Sequence, residues 1–372
     1  MTTDILVNEI LVQRRGNAGL ITLNRPKALN ALSLQMVRDI TAALIEWRDD
    51  PGVAMVGIRG TNKVGKPGTP EALFGGFCAG GDIRFFHTAA LAGDKALDDF
   101  FTEEYTLNHL IHNYPKPYIA FLDGVVMGGG MGLSQGAELR IVTEHTKMAM
   151  PETSIGLFPD VGGGYFLSRC PGHVGEYLAL TGEVFGADDA IDYGLADVKV
   201  EAASLPALWD ALGMASFNDW NATYLGADCD RKKGVTALKY PTVDAHFGLL
   251  RVKHIVDSLE KAKDDVWAKK TAAVLRKRSP LMLHVTLEQI RKARGMSLAD
   301  DLRMERDMVH HCFHLRPDAA SETVEGIRAL AVDKDYAPKW NPARIEDVKP
   351  GMADAFFVNP WAANAHPLCS LA

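Results

Sequence analysis

Two carboxylic acids lie eight positions apart in an apolar stretch of the sequence that is rich in glycine and proline. They are Glu152 and Asp160, within Met150-Pro-Glu-Thr-Ser-Ile-Gly-Leu-Phe-Pro-Asp-Val-Gly-Gly-Gly-Tyr165. Burial among apolar side chains raises the pKa of a carboxyl group, which suits a general base or a nucleophile. We therefore predict a chemical role for Glu152. For Asp160 two interpretations stay open, a partner in that chemistry or the N-cap of a following helix.

Two glycine-rich turns precede these acids, and each follows an apolar segment. One is Phe77-Cys-Ala-Gly-Gly-Asp82 and the other is Met127-Gly-Gly-Gly-Met-Gly-Leu133. Glycine permits positive φ and close approach of the backbone to a ligand, and a helix N-terminus presents free N–H groups. Two such turns in one domain favour a pair of N–H donors for an oxyanion. Tight turns packed against neighbouring strands, with Asp82 as an N-cap, are the structural alternative.

A serine in the segment Gly132-Leu-Ser134-Gln-Gly136 has the spacing of a nucleophile elbow. The elbow requires its serine at the turn between a strand and a helix. Here Gly128–Gly130 already forms the turn, so Ser134 is predicted to lie inside the following helix. We expect a packed helix serine, and a serine hydrolase is the rival interpretation.

Composition limits the classes of protein to which the chain can belong. Its 372 residues suffice for one large domain or two unequal ones, and 47% are hydrophobic. A net charge of −7 argues against nucleic-acid binding, and no apolar run reaches the roughly 18 residues of a membrane span. No signal or transit sequence is visible, and the five cysteines lack zinc-ligand spacing. We predict a cytoplasmic protein with reduced thiols, no metal, and no nucleic-acid or membrane partner.

Short apolar runs alternate with helical patterns over the first two hundred residues. Strands are predicted at 19–23, 53–58, 118–122, 139–142 and 147–150, with helices after Ser33 and over 97–113. This alternation predicts an α/β domain with parallel strand pairing.

The pattern changes after about residue 205, where strands give way to helical periodicity. Helices are predicted over 244–278, 280–294, 297–315 and 321–331. In the third of these, a solvated face is predicted for Asp300, Asp301, Arg303, Glu305 and Arg306. We therefore predict a core domain over residues 1–205 and a helical region over 206–372, joined by an exposed excursion near 200–245.

Four ordered motifs resemble the crotonase superfamily, the enoyl-CoA hydratases and isomerases. They are Leu23-Asn-Arg-Pro-Lys-Ala-Leu-Asn-Ala-Leu32, Phe77-Cys-Ala-Gly-Gly-Asp-Ile83, Asp123-Gly-Val-Val-Met-Gly-Gly-Gly130 and Met150-Pro-Glu-Thr-Ser-Ile-Gly156. Three further segments resemble the 3-hydroxyisobutyryl-CoA hydrolase branch of that superfamily. They are Phe101-Thr-Glu-Glu-Tyr105, Gly156-Leu-Phe-Pro-Asp-Val-Gly-Gly-Gly-Tyr-Phe166 and Glu325-Gly-Ile-Arg-Ala-Leu-Ala-Val-Asp-Lys-Asp-Tyr-Ala-Pro-Lys-Trp340.

The resemblance implies a spiral of β-β-α units with a helical C-terminal region, and hydrolysis of a short branched 3-hydroxyacyl-CoA thioester, a step of valine breakdown. It implies that the N–H groups of Ala79 and Gly129 hold the thioester carbonyl. Glu152 would be the principal catalytic carboxylate, with Asp160 and Glu104 as its partners at the acyl end.

The resemblance also implies the position of the coenzyme A site. Its lining would be Lys27, Ala28, Leu29, Gly80, Gly81, Asp82 and Ile83. Coenzyme A is then part of the substrate, and no cofactor is expected. The superfamily's trimers pack through C-terminal helices, so a homo-oligomer is compatible with the resemblance.

One departure from the hydratase pattern decides between two activities. Hydratases carry a first catalytic glutamate two residues after the triple glycine, where this chain has Gly132. Hydration needs two carboxylates gripping one water, whereas Asp160 downstream of Glu152 is the hydrolase arrangement. We therefore predict hydrolysis. The alternatives are an enoyl-CoA hydratase or isomerase on the same fold, and a non-enzymatic acyl-CoA-binding module.

Overall fold

The computed structural model describes residues 8–62, 73–226, 240–362 and 364–372. The predicted excursion lies partly outside these residues, since Asp228–Gly234 falls in the gap after residue 226. Within the described part of the chain, no helix has both the length and the apolar character needed to cross a membrane.

The chain folds into two compact units, and each is assembled from separate segments. The first unit comprises the described residues of Met1–Gly81, Leu110–Met148 and Phe185–Lys233. The second comprises those of Asp82–His109, Ala149–Val184 and Gly234–Ala372. The predicted division after residue 205 therefore differs from the one that packing produces.

The first unit is built on a sheet whose strands are mostly parallel. The described strands are β1 (Ile10–Arg15), β2 (Ala18–Leu23), β3 (Met55–Gly60), β4 (Tyr118–Leu122), β5 (Val125–Met127), β6 (Leu139–Val142), β7 (Lys147–Ala149) and β8 (Val198–Lys199). The sheet has the order β1-β2-β3-β4-β6-β8, and β5 pairs separately with β7. Only the β1–β2 pair of this sheet is antiparallel. The predicted α/β class is confirmed.

Helices occupy much of the rest of the described chain. They are α1 (Leu34–Asp49), α2 (Ile83–Ala92), α3 (Ala96–His112), α4 (Gly129–Gln135), α5 (Gly163–Leu167), α6 (Val174–Thr181), α7 (Ala187–Asp192), α8 (Leu205–Ala211), α9 (Phe217–Leu225), α10 (Pro241–Phe247), α11 (Val252–Lys261), α12 (Val266–Leu275), α13 (Pro280–Ala293), α14 (Leu298–His314) and α15 (Glu322–Ile327). A π-helical turn, Arg328–Val332, extends α15. The helix predicted over 244–278 is thus three separate helices.

The first unit buries one face of its sheet beneath α8 and α9. Trp209 and Trp220 pack there with strand residues such as Leu20 and Phe121. Helix α1 begins as its sequence predicts, because the Ser33 hydroxyl accepts a hydrogen bond from the N–H of Met36. The glycine-rich turns follow β3 and β5 in the chain.

The second unit has a helical core that includes segments from before residue 205. Helix α13 packs on α5 and α6, and α15 packs on α2. The C-terminal helices therefore share a unit with the segments that carry Glu104, Glu152 and Asp160. This shared packing explains why the predicted boundary at residue 205 does not divide the structure.

One predicted surface is wrong. Asp301, Glu305 and Arg306 were expected on a solvated face of α14, but each is at most 1% exposed. The helix is covered on more than one side, because it packs against α5 and α15. Charged residues therefore enter the interior, and their positions become relevant to the site.

Candidate active site

Glu152 begins a short 3₁₀ helix, Glu152–Ile155, that follows Pro151 and ends at Gly156. Gly156 has a φ of +70°, and a side chain there would collide with the carbonyl oxygen of Glu322. The hydroxyl of Thr323 donates a 2.7 Å hydrogen bond to the Gly156 carbonyl. Helix α15 thus fixes the segment, and Glu152 is held buried at 6% exposure.

Asp160 takes part in a side-chain hydrogen bond and does not cap a helix. The hydroxyl of Tyr105 donates to its Oδ2 at 2.8 Å, and both residues are buried. Helix α5 has Gly162 at its N-cap, with no side-chain cap bond. The alternative interpretation of Asp160 as an N-cap is therefore wrong.

Glu104 precedes Tyr105 on α3 and points inward, with 2% of its surface exposed. Its neighbour Glu103 is only partly buried, as the 100° step between successive helix positions predicts. We call Glu104, Tyr105, Glu152 and Asp160 the acid cluster. All four belong to the second unit.

Burial raises the pKa of every carboxyl group in the acid cluster. The pKa of Glu104 lies well above its ordinary value because of burial and then the charges of Asp160 and Glu152. Burial and the charge of Asp160 raise the pKa of Glu152 in the same way. Burial raises the pKa of Asp160 to about 6, although the Tyr105 hydrogen bond acts in the opposite direction. Burial and the repulsion between neighbouring carboxylates therefore both favour the protonated forms of these groups.

Two oxygen atoms in the acid cluster are buried without a hydrogen bond. They are Oε1 of Glu104 and Oε2 of Glu152, for which the described residues offer no hydrogen-bond partner. A buried polar atom left unpaired is costly, and such atoms recur at functional sites. These oxygens are available to bind a substrate hydroxyl or a water molecule.

The two glycine-rich turns lie side by side in the first unit. The Cys78 N–H donates to the Val125 carbonyl, and the Met127 N–H donates to the Cys78 carbonyl. Gly80 has a φ of +103°, and a Cβ atom there would lie 3.2 Å from the carbonyl oxygen of Met127. Glycine at position 80 is therefore required by both its conformation and its close neighbour.

The amide groups of these turns differ in availability. The Ala79 N–H already donates to the Leu29 carbonyl at 3.0 Å, so it is not available to a substrate. The N–H groups of Gly81 and Gly129 have no hydrogen-bond partner among the described residues. The assignment of Ala79 is therefore corrected to Gly81, while Gly129, the first residue of α4, keeps its predicted role.

The residues predicted to line the coenzyme A site are divided between the units. Lys27 and Ala28 lie in a 3₁₀ turn, Pro26–Ala28, and Leu29 follows in the left-handed conformation at 42% exposure. Asp82 caps α2 by accepting from the Phe85 N–H, and Ile83 is the first residue of that helix. Asp82 is therefore the N-cap of α2, and its contact with coenzyme A stays a prediction.

Ser134 is not placed as a nucleophile. It lies within α4, is fully buried, and donates its hydroxyl to the Met131 carbonyl at 3.1 Å. The prediction of a packed helix serine is confirmed.

Sequence reasoning missed two acids that support the acid cluster. Asp301 and Glu305 lie four residues apart on α14 and accept hydrogen bonds from the backbone just after Asp160. Their i,i+4 spacing places both on one helix face. That spacing was the available signal, but the flanking charges made the face look solvated.

One group in the described residues has the composition of a metal site. Asp98, His310 and His314 offer three ligand atoms within 4.8 Å of one another. Oδ1 of Asp98 also lies 2.6 Å from a guanidinium nitrogen of the buried Arg306. The carboxylate of Asp98 therefore neutralises the charge of Arg306. These imidazoles and the guanidinium lower the pKa of Asp98. We assign the group to an ion-pair cluster.

Comparison with known proteins agrees with this arrangement. The sequence model of the enoyl-CoA hydratase/isomerase family matches residues 18–357. The chain belongs to the enoyl-CoA hydratase/isomerase family. Similar solved structures include a carnitinyl-CoA dehydratase from Mycobacterium thermoresistibile, 36% identical, with a TM-score of 0.80, covering 95% of this chain and 98% of that one. An enoyl-CoA hydratase from Rhodobacter sphaeroides is 35% identical, with the same TM-score and coverage. The crotonase fold is thereby confirmed.

Other proteins that are similar in sequence are named 3-hydroxyisobutyryl-CoA hydrolases, and not hydratases or dehydratases. The 3-hydroxyisobutyryl-CoA hydrolase of Gallus gallus, named as mitochondrial, is 39% identical over 94% of this chain and 88% of its own length. The corresponding protein of Xenopus tropicalis is 40% identical over 94% and 89%. A probable 3-hydroxyisobutyryl-CoA hydrolase of Arabidopsis thaliana is 36% identical over 94% and 91%. These relatives match the branch that the sequence motifs indicated.

Proposed function

We propose that this protein hydrolyses 3-hydroxyisobutyryl-CoA to 3-hydroxyisobutyrate and coenzyme A. Relatives of that name align over nearly the whole chain. The observation on which the proposal rests is the acid cluster: Glu152 and Asp160 are both buried and the charge of Asp160 acts on Glu152, while position 132 carries no side chain. A carboxylate pair of this kind suits attack on an acyl carbon.

Polarisation of the thioester carbonyl is assigned to two backbone donors. The N–H groups of Gly81 and Gly129 would hydrogen-bond the carbonyl oxygen and its negative charge in the tetrahedral intermediate. Removing one donor of this type typically costs about 10²–10³ in rate. The availability of both N–H groups supports the assignment.

Glu152 is proposed as the group that starts the reaction. In one route its carboxylate takes a proton from water, and the hydroxide oxygen bonds to the acyl carbon. In the other route the carboxylate itself forms that bond, and water later hydrolyses the anhydride. In both routes the C–S bond breaks and coenzyme A leaves as a thiolate that gains a proton. A single turnover in ¹⁸O-water tests for an anhydride that water opens at the Glu152 carbonyl carbon, because that route leaves ¹⁸O in Glu152 whereas direct attack of water on the thioester does not.

Asp160 and Glu104 are proposed to recognise the 3-hydroxyl group of the acyl chain. With a pKa of about 6, Asp160 is mostly ionised at neutral pH and can accept a hydrogen bond from that hydroxyl. Burial and the neighbouring charges raise the pKa of Glu104, and its protonated form is proposed to donate one. An acceptor and a donor together would favour hydroxyacyl over plain acyl chains.

The remaining parts of the proposal concern the binding of coenzyme A and the place of the protein in metabolism and in the cell. Lys27, Ala28, Leu29 and the segment 80–83 are proposed to contact coenzyme A, and no cofactor beyond that part of the substrate is proposed. A role in valine breakdown follows from the proposed substrate. The vertebrate relatives are named as mitochondrial, so the cytoplasmic location of this chain stays a prediction, as does a homo-oligomer.

Hydration of an enoyl-CoA is the second candidate. Two similar proteins of known structure, 35% and 36% identical, are named a hydratase and a dehydratase. Against it stands Gly132, because no side chain at that position can supply the second carboxylate that grips water.

The test is a thiol-release assay over a panel of 3-hydroxyacyl-, acyl- and enoyl-CoA esters. We expect 3-hydroxyisobutyryl-CoA to give the highest kcat/KM, and Glu152→Gln to lose at least about 10³-fold in kcat. Binding of the ester with no turnover by the wild type would instead support an acyl-CoA-binding module. Preference for an ester without the hydroxyl would contradict the roles of Asp160 and Glu104.

A further inference from the structure

A buried carboxylate on α14 holds the backbone on the C-terminal side of Asp160. Glu305 is fully buried. Its Oε2 accepts the N–H of Gly162 at 2.7 Å, and its Oε1 accepts the N–H of Gly164 at 2.9 Å. Both oxygens of one carboxylate are thus used to fix the turn that begins two residues after Asp160.

A second side chain holds the same turn from its other end. Nε2 of Gln289, on α13, donates to the carbonyl of Pro159 at 2.7 Å and to Oε1 of Glu305 at 3.0 Å. Asp160 therefore lies between two fixed points, Pro159 and Gly162. Asp301 extends the contact by accepting the N–H of Tyr165 at 2.7 Å.

The turn needs such fixing because its conformation is strained. Val161 has a φ of +58° and Gly162 has a φ of +84°. A β-branched residue in the left-handed region is a true outlier that costs on the order of 1–3 kcal/mol. Strain of that size persists only where the surrounding contacts determine it, and here those contacts come from α13 and α14.

We propose that Glu305, completed by Gln289, is a positioning residue for Asp160, setting the direction of its carboxylate through the backbone of the 159–164 turn. The inference rests on the proposed function, in which Asp160 contacts the substrate. Glu305 contacts no reacting atom in that scheme and acts through Asp160. A displacement of about 1 Å at a reacting group can cost about 10² in rate, so loss of this contact should be visible in kcat.

Glu305→Gln tests the inference, because it keeps the shape of the side chain and replaces one acceptor oxygen with an NH₂ donor that opposes a backbone N–H. We expect kcat for thiol release to fall about 10²-fold with KM changed by less than about threefold. Glu176→Gln is the matched control. Glu176 is also fully buried in the second unit and forms an ion pair with Arg294. Loss of the Glu176 charge should therefore lower Tm while kcat stays within about twofold.

A double-mutant cycle with Asp160→Asn separates positioning from general destabilisation. We expect Glu305→Gln to cost less than about twofold in kcat once Asp160 is Asn. Multiplication of the two effects, or an unchanged kcat in Glu305→Gln, would overturn the inference. An Asp160→Asn variant with full activity would instead remove the role of Asp160 from the proposed function.

Gln289→Met takes the place of Glu305→Gln if the latter does not fold. It removes the hydrogen bonds to Pro159 and Glu305 and keeps a side chain of similar length. We expect a loss of about tenfold in kcat, again with no further loss in the Asp160→Asn background. An additive loss there would overturn the inference.

Discussion

The hydroxyl group of Tyr105 donates a 2.8 Å hydrogen bond to Oδ2 of Asp160. This contact lowers the pKa of Asp160, against the larger effect of burial, which raises it to about 6. A hydrogen bond from a buried neutral donor thus keeps a carboxylate ionised near neutral pH in an apolar site. The balance of these two effects sets the charge of the acid cluster.

Replacement of Tyr105 by Phe should make the reaction more sensitive to acid. Loss of the donor raises the pKa of Asp160, so a larger fraction of this carboxyl is protonated at pH 6. We expect kcat/KM to fall about tenfold at pH 6 and less at pH 8. Tyr118→Phe is the control, because the Tyr118 hydroxyl is buried with no hydrogen-bond partner in the described structure. An equal loss at both pH values in Tyr105→Phe would contradict the account.

Replacement of Glu104 by Gln should stabilise the protein as activity falls. The pKa of Glu104 is raised in the folded state, so its contribution to stability is present at low pH and is lost as the pH rises toward the folded-state pKa. The variant should gain about 1–2 kcal/mol at pH 8 and less at pH 5. Urea unfolding at the two pH values measures this, with Glu46→Gln, at an exposed position of α1, as a control expected within about 0.5 kcal/mol. A destabilised Glu104→Gln variant at pH 8 would contradict a cost of burying the charged form of Glu104.

Replacement of Gly80 by Ala should disturb the donor turns. The new Cβ would lie 3.2 Å from the Met127 carbonyl oxygen and 3.5 Å from the Gly129 nitrogen. We expect kcat to fall about 10²-fold, as for the loss of one oxyanion donor. Gly93→Ala is the control, since Gly93 also has a positive φ but a Cβ atom added there would meet no other atom within 4 Å. Equal losses in kcat for the two variants would show that backbone strain alone is responsible.

Replacement of Ser134 by Ala should leave the chemistry almost unchanged. The hydroxyl donates only to the Met131 carbonyl inside α4, so we expect less than a threefold change in kcat/KM and about 1 kcal/mol lower stability. Thiol-release kinetics and thermal unfolding measure the two effects. A loss as large as that of Glu152→Gln would favour a serine hydrolase.

Local sequence patterns predicted the regular elements well. The strands β4 and β6 have the predicted bounds, and Ser33 caps α1. These features depend on apolar periodicity and on one capping side chain, which are local properties. Segments 82–109 and 149–184 could not be assigned to a unit in this way, because part of their packing is with α14 and α15, more than a hundred residues further along the chain.

The sequence indicates which acidic residues form the candidate site, but it does not indicate which backbone N–H groups are available there. The fold buries Glu104, Glu152 and Asp160, which the sequence motifs indicate as one group, and their catalytic roles stay predictions. The direction of each N–H group in the first turn depends on the backbone conformation of Gly80, which cannot be read from the sequence. The motif therefore indicates Ala79, whereas the available N–H group belongs to Gly81. Glu305 was placed on a surface because charged neighbours outweighed its spacing from Asp301.

The ratio of two rates measured on the same purified protein tests the central claim most directly. These are thiol release from 3-hydroxyisobutyryl-CoA and hydration of crotonyl-CoA, each as kcat/KM. With Gly132 in place of a second carboxylate, the account predicts that thiol release exceeds hydration by at least about 10³-fold. Hydration equal to or faster than thiol release would contradict it.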